Sequence, residues 1–152
     1  MFDTMIIGQI CMDTNTDFDG CTEHRYGGAV LFSGHAAAAM TEGTVAVVPK
    51  CIPNGDIDAT RAFSDCPNVH VFARSSRANT EMENVYFTAD RERRRSRCLS
   101  VIDGYTPADI PEEETKVYHL AGLTAGDIPG ELIRFCAERA DVAVDVQWIL
   151  DC

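Results

Sequence analysis

Thr44-Val45-Ala46-Val47-Val48 is an unbroken run of apolar and β-branched residues. A strand with one wet face alternates apolar and polar side chains. This one does not, so both of its faces are expected to be covered. Met5-Ile6-Ile7, within a strand from Thr4 to Gly8 and stopped by that glycine, reads the same way. Further strands are expected at Val69 to Ala73 after Pro67, at Lys116 to Ala121, and at Val142 to Val146. Between them the period changes. Gly28 to Met40 is Ala-rich and helical, with Leu31, Ala38 and neighbouring alanines forming a small-residue face suited to close packing on a sheet. Asn54 to Phe63 reads as a helix beginning near Asn-Gly-Asp. Pro129 to Arg139 reads as another, with Pro129 in its first turn and Asp127 as its N-cap. Strands alternating with helices define an α/β class: a Rossmann-like, mostly parallel sheet flanked by helices.

The stretch from roughly residue 69 to 102 breaks this alternation. Glu81 to Thr88 and Arg97 to Ile102 are candidate strands on either side of a charged turn, Asp90 to Arg95. Asp13 to Tyr26 is polar and turn-rich, with Asp-Gly at 19–20, and reads as a loop or a short solvent-facing hairpin. A small antiparallel flap beside the main sheet is expected, with strands around 13–26 and 80–102. No repeat or linker divides the chain, so residues 1–152 are expected to form a single domain with that flap.

Composition excludes several classes of function. The chain has 152 residues, 13 basic and 24 acidic, for a net charge of −11, and is 45% hydrophobic. That is enough apolar material for a core, and too much for disorder. The negative charge repels phosphate, which argues against general nucleic-acid binding. No apolar run approaches the ~20 residues of a membrane span. Met1-Phe2-Asp3-Thr4 lacks the basic opening of a signal peptide. Seven cysteines contain no C-x-x-C pair, and several sit in apolar surroundings such as Ile10-Cys11-Met12. Buried free thiols in a reducing cytoplasm are the expectation. His24, His35, His70 and His119 are scattered along the chain, and no metal site is expected.

Four features could carry chemistry. Asp13 follows the first strand, where open α/β sheets bind ligands. It reads equally as an acceptor for substrate hydroxyls or as a loop aspartate capping its own turn. Tyr26-Gly27-Gly28 precedes the Ala-rich helix and could bring backbone N–H groups close to a ligand, although an ordinary tight turn is the simpler reading. Arg91-Glu92-Arg93-Arg94-Arg95-Ser96-Arg97 holds five of the chain's eleven arginines. A solvated face pairing with nearby acids is the preferred reading, and a further one has an arginine reaching an anionic substrate from the flap. Gly126-Asp127 before Pro129 is read as a helix cap rather than a catalytic pair. Neither phosphate-loop pattern, G-x-x-x-x-G-K-[ST] or G-x-G-x-x-G, occurs. That weighs against an ordinary nucleotide-binding or flavodoxin-like domain.

The order of features resembles the N-terminal part of the ribokinase-like, or PfkB, family of carbohydrate and nucleoside kinases. The matching pieces are Ile6-Ile7-Gly8 with Ile10 and Asp13, Tyr26-Gly27-Gly28 leading to Ser33, and Val45-Ala46-Val47-Val48-Pro49-Lys50. They continue with Asn79-Thr80 through Asn84-Val85-Tyr86, Tyr118-His119-Leu120-Ala121 with Gly126-Asp127-Ile128-Pro129, and Asp145-Val146-Gln147. The resemblance implies a Rossmann-like core with a small β-sheet lid over a sugar site. It implies that Asp13 binds substrate hydroxyls, that Gly27 and Gly28 line the pocket, that Asn84 belongs to the lid or its hinge, and that Asp145 and Gln147 face the same cleft. Ala29-Val30-Leu31-Phe32 lacks the Lys and Asn that many members carry after the glycine pair, which argues against a ribose-type pocket. The helix ends Met40-Thr41 where the family usually has Leu-Gly, and Trp148 follows Gln147.

Family kinases are longer and carry their catalytic aspartate in a Gly-Ala-Gly-Asp segment of the C-terminal half, beyond the point where this chain stops. The expectation is therefore a truncated ribokinase-like unit: the substrate-binding half of an ATP-dependent sugar, polyol or nucleoside kinase, inactive alone, with no catalytic residue and no cofactor in this chain. ATP and Mg are expected only with a complete kinase. The alternative is a non-catalytic sugar-binding or regulatory module that dimerises through its lid strands.

Overall fold

The structure is a computed structural model and describes residues 1–146. The chain runs β1 (Thr4–Ile7), β2 (Cys11–Thr16), β3 (Thr22–Gly27), α1 (Ala29–Met40), β4 (Val45–Val48), β5 (Lys50–Cys51) and α2 (Ala59–Ala62). It continues β6 (Val69–Val71), β7 (Arg74–Ser75), β8 (Thr80–Tyr86), β9 (Arg94–Ser100), a single 3-10 turn at Pro107–Asp109, β10 (Val117–Leu120), α3 (Gly130–Ala137) and β11 (Asp141–Val144). Five strands form one sheet in the order β11-β10-β1-β4-β6, every neighbouring pair parallel.

The unbroken apolar runs are explained by burial on both sides of this sheet. Ile6, Val45 and Val47 pack with Val30 of α1 and with Phe63. Met5, Ile7, Ala46 and Val48 pack on the other face with Tyr105, Leu120 and Leu132 of α3. Each fully buried Val or Ile side chain contributes about 1.5–3 kcal/mol, so the two central strands are a principal source of stability. On α1 the residues that sink fully into the core are Val30 and Gly34. A Cβ at Gly34 would stand 2.6 Å from the Phe63 ring, which accounts for the glycine inside an otherwise Ala-rich helix.

From β1 the sheet extends through β4 and β6 on one side and through β10 and β11 on the other. The connections diverge at the carboxyl ends of β1 and β10, which is where open α/β sheets form ligand crevices. Gly8 sits just past β1. A Cβ there would fall 2.0 Å from the carbonyl oxygen of Ala121, so the loops leaving β1 and β10 touch only because this residue has no side chain.

The second sheet is the lid, in the order β3-β2-β8-β9. It is mixed rather than antiparallel. The β2–β3 and β8–β9 pairs are antiparallel hairpins, but β2 and β8 run parallel in register from Cys11↔Thr80 to Thr16↔Val85. The expected loop-or-hairpin at 13–26 is a regular hairpin. β9 begins at Arg94, so part of the expected charged turn is strand. Two other expectations change. Helix is confined to Ala59–Ala62 rather than 54–63, because Asn54-Gly55-Asp56 is turn chemistry, with Asn54 at φ 56°, and Asp58 is the N-cap, accepting from the Arg61 N–H at 2.9 Å. The last described strand ends at Val144 instead of Val146.

Asp127 does not cap α3, whose start has no side-chain cap. It is 2% exposed and closes the preceding turn, accepting from the Leu123 and Thr124 N–H groups, the Thr124 hydroxyl and the Gln9 side-chain amide. The six described cysteines are all free, and three of them, Cys11, Cys51 and Cys136, are buried. Among the described residues no helix is long and apolar enough to cross a membrane.

Candidate functional site

Strand periodicity decides which lid residues look toward the main sheet. Side chains alternate between faces, and the register places Cys11 and Asp13 of β2, Met82 and Asn84 of β8, and Arg94, Ser96 and Cys98 of β9 on one face. All seven line a cavity of about 620 Å³ together with Gly28, Ala29 and Phe32 at the start of α1 and Leu123 and Thr124 after β10. The cavity therefore opens where the sheet connections diverge, between the lid and the N-terminal end of α1. A second depression of about 550 Å³ lies along α2 and β6 and shares no lining residue with the first.

The twin glycines set the floor. A Cβ on Gly27 would stand 2.2 Å from Oδ2 of Asp13, so the carboxylate rests against bare backbone. Gly28 has φ 100° and ψ 148°, a conformation essentially restricted to glycine. A Cβ there would lie 2.3 Å from the Gln9 carbonyl oxygen. No side chain caps α1, and its first-turn N–H groups point toward the same end of the helix as the cavity. The Cys11 thiol donates to Oδ1 of Asp13 at 2.9 Å. Burial first, and the neighbouring carboxylate second, push that thiol far above its usual value, so it acts as a hydrogen-bond donor and not as a nucleophile.

Asn84 joins three lid strands. Its Nδ2 donates to Oδ1 of Asn15 at 3.0 Å, and its Oδ1 accepts from the Ser96 hydroxyl at 2.7 Å. The arginine run divides. Arg91 forms a bidentate pair with Asp17, tying the two hairpin tips, and Arg97 lies 3.7 Å from Glu83. Arg94 faces the cavity instead.

The lid is anchored at its base. Asp103 accepts from the Arg77 backbone N–H, Nε and Nη2 and from the Ser76 hydroxyl, clamping the entry and exit of the β8–β9 hairpin. The Arg77 guanidinium and then its backbone N–H lower the Asp103 carboxyl to about 2. On the other flank the Tyr26 hydroxyl donates to the Asp56 carbonyl at 2.7 Å and accepts from the Asp58 N–H at 3.1 Å. Beneath, Lys50 is 5% exposed and donates to the Gly104 carbonyl and to Asp109, each at 3.0 Å. Burial raises the Asp109 carboxyl, but the Thr106 N–H and Lys50 outweigh it, leaving a net lowering.

Of the residues singled out in the sequence, Asp13, Gly28 and Asn84 line the cavity, and Gly27 lies directly under the Asp13 carboxylate. Asp145 follows β11 and is not in the lining. It lies near His119, whose pKa burial lowers and this carboxylate partly restores. Gln147 falls outside the described residues. Arg94 belongs to the run from which the sequence allows one arginine to reach a substrate, without saying which; nothing in the sequence marks Ser96 or Thr124 as a binding residue. For the two on β9, the period-two pattern becomes a signal once Ser96 is known to pair with Asn84.

A parallel sheet with a cavity beneath a second, mixed sheet at its switch point defines the class: an α/β protein with a lidded cleft. Sequence comparison finds no matching family model and no matching characterised protein. Structural comparison is specific. The chain is similar to a pyrophosphate-dependent kinase of the ribokinase family complexed with a pyrophosphate analogue and myo-inositol, with TM-score 0.79 and 25% identity over 95% of this chain and 49% of that one. A sulfate complex of a pyrophosphate-dependent ribokinase-family kinase matches at TM-score 0.75 and 26% identity, over 95% and 50% of the respective chains. Arabidopsis thaliana ribokinase, complexed with ribose and ATP, matches at TM-score 0.63 and 10% identity over 95% and 53%, a likeness of fold alone. The chain is ribokinase-like, with the fold of that family of sugar kinases, lid included. It spans about half the length of the structures it matches.

Proposed function

We propose that this chain is the substrate-binding part of a ribokinase-family kinase that acts on a sugar or polyol, and that a cyclic polyol of the myo-inositol kind is its ligand. The observation that carries the reading is the Asp13 carboxylate, held against Gly27 and beside Gly28 beneath the lid. A carboxylate accepts strong hydrogen bonds from vicinal hydroxyls. Asn84, Ser96 and Thr124 add neutral donors and acceptors, Arg94 adds a guanidinium, and Phe32, Met82 and Leu123 supply apolar surface for the C–H faces of a ring. The inositol complex of the similar kinase supports the choice of polyol.

The lining fits hydroxyls better than a nucleotide. Among the described residues it holds one guanidinium and no lysine, and the sequence has no glycine-rich phosphate loop. Phosphoryl transfer needs positioned phosphates, neutralised charge and an oriented nucleophile. Of these the residues here supply the position of the acceptor hydroxyl, and we infer that the chain by itself is inactive. The second reading is a non-catalytic sugar-binding or regulatory module that dimerises through its lid. It draws on the exposure of β9, where Leu99 is 52% exposed. The arginines along that edge oppose simple strand pairing.

A thermal-shift screen with sugars, inositols, nucleosides, ATP and pyrophosphate tests the proposal. Stabilisation by a polyol and not by ATP is expected. A melting temperature unmoved by every sugar and polyol contradicts the substrate reading. Donor-dependent phosphorylation by this chain contradicts its inactivity. A dimer that persists on dilution in light scattering, with no partner supplied, favours the second reading.

A further inference from the structure

The histidines are scattered in sequence, but the fold brings one of them to a carboxylate and a thiol. His35 on α1 meets Asp65 and Cys66 in the loop after α2, and none of the three lines the cavity beneath the lid. The ring is oriented from both sides. Nδ1 of His35 lies 2.9 Å from the carbonyl oxygen of Leu31. A carbonyl can only accept, so the tautomer that satisfies this contact carries its proton on Nδ1 and turns the Nε2 lone pair toward Asp65 and Cys66. Phe63 stacks on the imidazole with centroids 5.0 Å apart and planes 26° apart. Nε2 is then 3.2 Å from Oδ1 of Asp65. Nε2 and the carboxylate oxygen so face each other at a separation that one cation can share.

The dimensions suit a cation. The Asp65 Oδ1 atom is also 3.7 Å from Sγ of Cys66, and the three ligand atoms all lie within 4.8 Å of one another. Tetrahedral zinc, with bonds of about 2.0–2.2 Å to N and O and about 2.3 Å to S, has an N···O edge of about 3.4 Å and an S···O edge of about 3.6 Å. Two of the three edges already stand near these values. One imidazole, one carboxylate and one thiolate form a borderline-soft donor set that zinc prefers over calcium or magnesium. The Asp65 side chain is 75% exposed, so an ion can enter from solvent. A carbonyl behind the ligand histidine is the outer-shell arrangement that fixes imidazole ligands in metal sites.

We propose that His35 Nε2, Asp65 Oδ1 and Cys66 Sγ form a zinc-type site completed by solvent, which staples α1 to the loop leading into β6. Binding releases the Cys66 thiol proton to solvent as the sulfur–metal bond forms. The test uses the reduced chain, with Zn²⁺ in calorimetry and Co²⁺ as a spectroscopic probe. One Zn²⁺ per chain is expected, and Co²⁺ should give tetrahedral d–d absorption with a thiolate charge-transfer band. Cys66→Ser should remove that band and His35→Asn should weaken binding at least tenfold. Cys21→Ser and Cys98→Ser should retain both. Asp65→Asn, at an exposed position, should weaken binding without changing the fold. Absence of stoichiometric binding by the wild-type chain overturns the site and leaves a His35–Asp65 hydrogen bond. A charge-transfer band that survives Cys66→Ser overturns it equally.

Discussion

Replacing Gly27 with alanine separates the site from the fold. The new Cβ would stand 2.2 Å from Oδ2 of Asp13 and 2.7 Å from its Cγ. Carbon and oxygen approach to about 3.3 Å in close contacts, so the carboxylate must retreat by about 1.1 Å. The obstacle is the end of a side chain, and swinging it off its preferred rotamer costs about 0.5–1.5 kcal/mol. Alanine at a position without positive φ gives back about 0.4–1 kcal/mol by restricting the unfolded chain. The net change in folding stability is therefore expected within about 1 kcal/mol. Binding should suffer more. A hydrogen bond to a charged group contributes about 1.5–3 kcal/mol, so losing one weakens polyol affinity about 10- to 150-fold. Calorimetric titration with the polyol and urea unfolding, run on both proteins, give the two numbers. Unchanged affinity in Gly27→Ala would refute the reasoning, and so would a loss of several kcal/mol in stability.

Gly28→Ala should behave in the opposite way. Its φ of 100° is strained by about 1–3 kcal/mol for any other residue, and its Cβ meets the rigid Gln9 carbonyl at 2.3 Å, so urea unfolding should show a loss above about 3 kcal/mol. A wild-type midpoint contradicts this. Lys50→Ala leaves Asp109 without its buried cation and should cost about 3–5 kcal/mol by the same assay; a cost below about 1 kcal/mol would mean the pair is not truly desolvated. The pH dependence follows from Asp103, whose carboxyl is lowered to about 2 by Arg77. A lowered carboxyl binds its proton less readily in the folded state. Its stabilisation is present above the ordinary carboxylate value of about 4 and fades as pH falls toward about 2. Asp103→Asn should flatten that part of the acid limb in urea midpoints followed across this range, and an unaltered limb contradicts the clamp.

The central strands were legible because burial on both faces leaves a one-dimensional mark: Met5-Ile6-Ile7 and Val45-Ala46-Val47-Val48 need no partner to be read. The ends and joins were less legible. β5 and β7 are two residues each and exist only because Lys50 and Cys51 pair with Arg74 and Ser75. The parallel joining of β2 to β8 depends on how two distant hairpins meet, which neither hairpin records. The site divides in the same way. Asp13 and the glycine pair announce themselves by position after the first strand and before the first helix. Arg94 was submerged in an arginine run and is distinguished from Arg95 only by the face of β9 it occupies. Asp127 looked like a helix cap because its local sequence is that of one, but its buried partner, Gln9, is 118 residues away. Its work is to hold the loop that carries Thr124 into the cavity wall.

Substitution of Asp13 by alanine, followed by thermal unfolding with and without the polyol that best stabilises the wild-type chain, asks the central question most directly. Loss of the ligand-induced rise in melting temperature, with the ligand-free melting temperature little changed, is the expected result. An undiminished rise would put the hydroxyl-binding group elsewhere and contradict the account.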